Sequence, residues 1–75
     1  MNYDKELDAR GLACPMPIVK TRKALNELAP GQVLKVLATD AGSVADMKTF
    51  SEQTGNELLA SEQDGGTYLF YLKRR

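Results

Sequence analysis

Lys5-Glu6-Leu7-Asp8-Ala9-Arg10-Gly11-Leu12-Ala13-Cys14-Pro15-Met16-Pro17-Ile18 is the stretch in which the hydrophobic period of the chain changes. Leu7 and Ala9 alternate with polar neighbours, as on a half-buried strand, and Arg10-Gly11 breaks the pattern. From Pro15 onward Ile18, Leu25, Leu28 and Ala29 fall on one helical face. Thr21 and Arg22 lie at its margins, with Lys20, Lys23 and Glu27 opposite. This spacing predicts an amphipathic helix that Pro30-Gly31 stops. Gln32 to Thr39, holding Val33-Leu34-Lys35-Val36-Leu37-Ala38, is rich in strand formers and too short for a helix, so it reads as a largely buried strand. Strand, helix, strand predicts a right-handed parallel crossover.

Beyond it, Asp40-Ala41-Gly42 is a break, and Ser43-Val44-Ala45-Asp46 has the spacing of a capping box, with Asp in place of the longer Glu or Gln. Val44, Met47, Phe50 and Thr54 then recur at helical spacing up to a left-handed stop at Gly55-Asn56. Glu57 to Gln63 and Thr67 to Lys73 are extended runs joined through Asp64-Gly65-Gly66, which suits a tight hairpin. In the last run Tyr68, Phe70 and Leu72 alternate with Leu69 and Tyr71. The order βαβαββ predicts an α+β fold, a two-layer α/β sandwich with a mixed four-stranded sheet and both helices on one face. The order of strands within the sheet stays open. No repeat, linker or low-complexity segment interrupts the chain, and residues 1–75 read as one domain.

Seventy-five residues hide only about 60% of their unfolded surface, enough for one modest core. One cysteine and no histidine exclude an internal disulfide, a Cys-x-x-Cys redox pair and a Cys-His dyad, and no metal or cofactor is expected. No stretch approaches the roughly 20 apolar residues of a membrane span, and the charged N-terminus is no secretory signal, so a cytoplasmic monomer is expected. Ten basic and ten acidic side chains cancel, leaving local clusters to be read. Lys20, Arg22 and Lys23 follow Cys14 closely, either as a solvated helix face or as a docking patch for an acidic partner. Lys73-Arg74-Arg75 reads as a solvated end, and direct binding to nucleic acid is not expected.

Cys14 stands at the strand-to-helix junction and is the candidate for chemistry. Its placement predicts that it caps the helix, with Pro15 first and Pro17 third, where missing N–H groups cost nothing. The N–H groups of Met16 and Ile18 would then stay free at the positive helix end and stabilise a thiolate, the nucleophilic form. The competing reading is a small buried hydrophobe. Pro17 disfavours the helical conformation of Met16, which a mere helix start does not need, so the turn would hold the sulfur in a presented geometry. On that account Pro17→Ala keeps or raises stability while slowing chemistry.

Leu7-Asp8-Ala9-Arg10-Gly11-Leu12-Ala13-Cys14-Pro15-Met16-Pro17, with the basic helix and Pro30-Gly31 after it, closely resembles the TusA/SirA/YedF family of small sulfur carriers. Its signature Leu-Asp-x-x-Gly-Leu-x-Cys-Pro-x-Pro is complete from Leu7 to Pro17, and the match at Asp40 is looser. The resemblance implies a two-layer fold of the same order. It also implies a cysteine, here Cys14, that accepts sulfane sulfur as a persulfide from a cysteine desulfurase or rhodanese and hands it to a downstream acceptor protein. Asp8, Gly11, Pro15 and Pro17 match positions that support the active turn, and Lys20, Arg22 and Lys23 would meet partners. Ser51 stands near where carriers serving tRNA thiolation have a further cysteine, which weakens assignment to that branch. The alternative is a regulatory module that binds protein or RNA on the same fold. A peroxide-sensing thiol would need a resolving cysteine from another chain.

Overall fold

A computed structural model describes residues 2–75. The chain runs β1 (Lys5–Ala9), α1 (Met16–Asn26), β2 (Val33–Ala38), α2 (Ser43–Thr54), β3 (Glu57–Asp64) and β4 (Thr67–Lys73). The sheet order is β1-β2-β4-β3, with β1 parallel to β2 and the other two pairings antiparallel. The βαβαββ order and the mixed four-stranded sheet are those the periodicity predicts. β4, the second arm of the hairpin, becomes a central strand. The hairpin turns at Gly65, whose φ of +61° is left-handed backbone that glycine adopts without strain.

Pairing sets the core. Leu34 lies opposite Leu72 and Val36 opposite Phe70 across β2 and β4, and all four are fully buried. Ala24 and Leu25 of α1 and Met47 and Phe50 of α2 join the same cluster, so both helices cover one face of the sheet. The strand alternation sends Val33, Lys35 and Leu37 to the other face, where they are half-buried. β2 is therefore buried on one side only, because a two-layer fold has no second helical layer. Lys35 serves that open face: its Nζ lies 5.1 Å from the Tyr3 ring centroid, 6.0 Å from that of Tyr71 and 3.6 Å from Glu6.

Both helices depart from the expected boundaries. α1 ends at Asn26, before Pro30-Gly31, because Glu27 N–H turns back to Ala24 O and Leu28 N–H to Leu25 O, the tighter spacing that closes a last turn. Its buried face is Pro17, Thr21, Ala24 and Leu25, whereas Ala29 is exposed. Thr21 thus lies at the centre of that face. In α2 the capping box does not form: Gly42 occupies the cap without a side-chain bond, and Val44 is exposed. Gly55 ends α2 as expected, with φ +80° and its N–H on Ser51 O.

The hydroxyls of Thr21 and Ser43 are buried without a hydrogen-bond partner among the described residues. An unmet buried hydroxyl costs about 1–3 kcal/mol. Thr21→Val keeps the shape and removes the orphan group, so it should stabilise the protein by about 1 kcal/mol. Thermal unfolding should show this as a rise in Tm of roughly 4–8 °C; a lower Tm would mean that the hydroxyl has a partner.

Candidate functional site

The site is the junction between β1 and α1, laid against the N-terminal half of α2. The chain leaves β1 through a turn in which Leu12 N–H reaches Ala9 O at 3.3 Å and Gly11 takes φ +81°. A Cβ at Gly11 would meet no atom within 4 Å, so the backbone conformation and not crowding calls for glycine. Gly11 N–H donates to Thr39 Oγ1 at 2.8 Å, which ties the turn to the end of β2. On the outer side Asp8 holds Arg10: Oδ1 accepts from the Arg10 N–H at 3.1 Å and from Nε at 2.9 Å, and Oδ2 accepts from the terminal guanidinium nitrogen at 2.9 Å. These bonds lower the Asp8 pKa to about 2, so the clasp stays charged at all ordinary pH. Asp8 and Gly11 bear on the turn without touching the sulfur.

Cys14 is exposed, which removes the buried-hydrophobe reading. Its backbone N–H donates to Asp40 Oδ2 at 2.9 Å, and Asp40 Oδ1 in turn accepts from Gly42 N–H at 3.3 Å. Its thiol donates to Asp46 Oδ2 at 2.9 Å. Two carboxylates from the β2–α2 connection and the first turn of α2 thus hold the residue by both its backbone and its side chain.

The capping geometry differs from the sequence expectation. Pro15 is the N-cap of α1, Met16 the first helical residue and Pro17 the second, so Cys14 precedes the cap. Nor are the donors free: Met16 N–H bonds Ala13 O at 2.9 Å, and Ile18 N–H bonds Pro15 O at 3.1 Å. The electrostatics reverse as a result. The hydrogen bond to Asp46 first, then partial loss of hydration and the charges of Asp46 and Asp40, push the Cys14 thiol up from its ordinary 9.0. Cys14 therefore rests as a thiol at neutral pH.

Pro17 is fully buried, and its ring is part of the packing beneath the turn. The expectation that Pro17→Ala keeps or raises stability is corrected accordingly. Removing ring carbons from a closed site should cost about 1–2 kcal/mol, lowering Tm by roughly 4–16 °C in thermal melts. An unchanged or higher Tm would show that the site collapses around alanine without loss.

Around the sulfur lies a depression of about 250 Å³ lined by Pro15, Ile18, Arg22, Asp46, Thr49 and Phe50, among others. Arg22 reaches it because α1 turns that residue toward α2, where its guanidinium carbon sits 5.7 Å from the Phe50 ring centroid. Lys20 and Lys23 are exposed and do not line it. The expected basic patch is therefore split, with only Arg22 facing the cysteine.

The model of the sulfurtransferase TusA family matches residues 5–74. The chain belongs to the TusA family. Among its relatives, the sulfur carrier protein TusA of Allochromatium vinosum is 52% identical over 73 residues, covering 97% of this chain and 96% of that protein. The sulfur carrier protein TusA of Pseudomonas entomophila is 42% identical, over 97% of this chain and 91% of its own. A crystal structure of a SirA-like protein from Desulfitobacterium hafniense superposes with a TM-score of 0.82 at 30% identity, covering 93% of this chain and 96% of that one. The α+β fold is thus that of a solved SirA-like relative.

For this TusA-family chain, sequence reasoning located the cysteine and its turn but missed Asp46 and Asp40 as its partners. Ser43-x-x-Asp46 did mark the carboxylate, but as a helix cap. Its bond to a residue 32 positions away depends on how α2 packs beside the turn.

Proposed function

We propose that this chain is a sulfur carrier that accepts sulfane sulfur as a persulfide on Cys14 and passes it to an acceptor protein. The observation that carries the reading is an exposed lone thiol on a turn clasped by Asp8–Arg10, Thr39 and Asp40 at the mouth of a groove. A cysteine desulfurase or a rhodanese, itself loaded with a persulfide, is the donor. The Cys14 sulfur, once deprotonated, attacks the terminal sulfur of the donor persulfide. The donor S–S bond breaks, a new S–S bond forms on Cys14, and the donor leaves as a thiolate that takes up a proton. Asp46 Oδ2, at 2.9 Å from Sγ, accepts the S–H of the resting thiol, and that proton leaves to solvent before the attack. No external oxidant is consumed, because the sulfane sulfur carries its oxidation state with it.

The same chemistry run outward loads the acceptor. Asp8, Gly11, Pro15 and Pro17 keep the turn in shape, and Arg22, with Lys20 and Lys23 on the outer helix face, meets the acidic surface of partners. A thiol that must stay free of disulfides fits a monomer in the reducing cytoplasm. Among the described residues, no helix is long and apolar enough to cross a membrane. The test is a relay with radiolabelled cysteine and a cysteine desulfurase: label should appear on this protein and be released by dithiothreitol. Absence of label, with the desulfurase itself labelled, would overturn the reading.

A further inference from the structure

The depression at Cys14 is one end of a longer groove between the two helices. Arg22, Phe50 and Gln53 belong both to it and to a second, larger hollow of about 390 Å³. That hollow lies between the C-terminal halves of α1 and α2 and is also lined by Asn26, Asn56, Arg74 and Arg75. None of the residues lining it is acidic among those described, and none of its three arginines is in an ion pair. One guanidinium N–H of Arg74 donates to Leu28 O at 2.7 Å, which fixes that side chain and leaves its other donors. Asn56 Oδ1 accepts the Arg75 N–H at 2.9 Å, and the Arg75 side chain lies against Gly55, where a Cβ would approach its Cδ to 2.9 Å. The end of β4 is therefore folded onto the helices with its cations directed to the groove, not left as a solvated tail.

A guanidinium placed over an aromatic ring, a second bonded to a backbone carbonyl and a third lying against Gly55 form a receptor for carboxylate, which arginine binds bidentately. Charge separates the two ends of the groove: Asp40 and Asp46 hold Cys14 at one end, Arg74 and Arg75 stand at the other, and Arg22 lies between them. We propose that the arginine end anchors the protein that exchanges sulfur with Cys14, by binding a carboxylate side chain on the same extended segment as the partner's reacting sulfur. From Pro15 to Arg22 and Asn26 the helix rises about 10 to 16 Å, which an extended segment spans in about three to five residues. The partner is thus a protein whose reactive cysteine sits on an accessible segment with an Asp or Glu at that spacing. This inference rests on the sulfur-carrier reading of Cys14.

Two synthetic peptides test it on the intact protein, each with one cysteine activated as its thionitrobenzoate disulfide. One carries Asp-Glu four residues from the cysteine and the other Asn-Gln. Cys14 attacks the peptide sulfur, the peptide–thionitrobenzoate bond breaks, and the released thionitrobenzoate anion reports the rate. At low salt the acidic peptide should react about tenfold faster, with the gain lost as salt screens the pairing. Arg22→Gln with Arg75→Gln should bring the rates of the two peptides, compared on the same variant protein, within about twofold of each other. Equal rates for the two peptides on the native protein, or an advantage that survives in the double variant, would overturn the proposal, as would tight salt-sensitive binding of an RNA oligonucleotide in place of peptide discrimination. Sulfur loading by a desulfurase is measured separately, so failure of the anchor is distinguishable from failure of Cys14 as the acceptor.

Discussion

Cys14→Ser should accept no sulfur from any donor and yet unfold within a few degrees of the parent. The side chain is exposed, and substitutions at such positions usually change stability by no more than about 0.5 kcal/mol. A serine hydroxyl can still donate to Asp46, and the backbone bond to Asp40 is untouched, so the turn keeps its anchors. Oxygen cannot form a persulfide, so all transfer should disappear. Parallel thermal melts and desulfurase-dependent loading check both halves. Residual loading would place the acceptor elsewhere, and a large drop in Tm would make the residue structural.

The second large effect is on the thiol itself. Asp46→Asn exchanges the charge-assisted hydrogen bond to the S–H, the first cause that holds the Cys14 pKa above its ordinary value, for a weaker neutral one and also removes the Asp46 charge, a further cause. The sign follows directly: with Asp46 present, thiolate forms only as pH rises past the ordinary thiol range, so alkylation at neutral pH is slow. Without it the thiolate is favoured at lower pH, and the profile of iodoacetamide alkylation should move toward acid. At pH 7 the variant should react at least roughly threefold faster. An unchanged profile would show that the Asp46 bond does not govern the sulfur. A carrier that rests as a thiol is protected from stray oxidation between transfers, since thiolate character governs that damage.

Much of the fold was legible because it is written in local period. Leu7 and Ala9, the run Val33 to Ala38, and Tyr68, Phe70 and Leu72 each announce a strand face, and Asp64-Gly65-Gly66 announces the hairpin. What was not legible follows from packing. Counting apolar side chains could not place Pro17 and Thr21 in the core, because neither is an ordinary hydrophobe, yet the close approach of α1 to the sheet buries both. The same count overextended α1 to Ala29, whereas its tightened last turn ends it earlier. The site divides in the same way. Cys14 and its prolines are contiguous and readable. Asp40 and Asp46 reach Cys14, one at its backbone N–H and the other at its sulfur, only once β2 pairs with β1 and α2 lies beside the turn, and the cations of Arg74 and Arg75 join Arg22 only once β4 takes its central place.

Sulfur carried by this chain should reside on Cys14. Intact-mass and peptide mass spectrometry of the protein after incubation with a cysteine desulfurase and cysteine tests it most directly. The protein should gain the mass of one sulfur atom, confined to the peptide containing Cys14 and removed by a thiol reductant. A protein that remains unmodified while the desulfurase carries its own persulfide, or added sulfur on a peptide lacking Cys14, would contradict it.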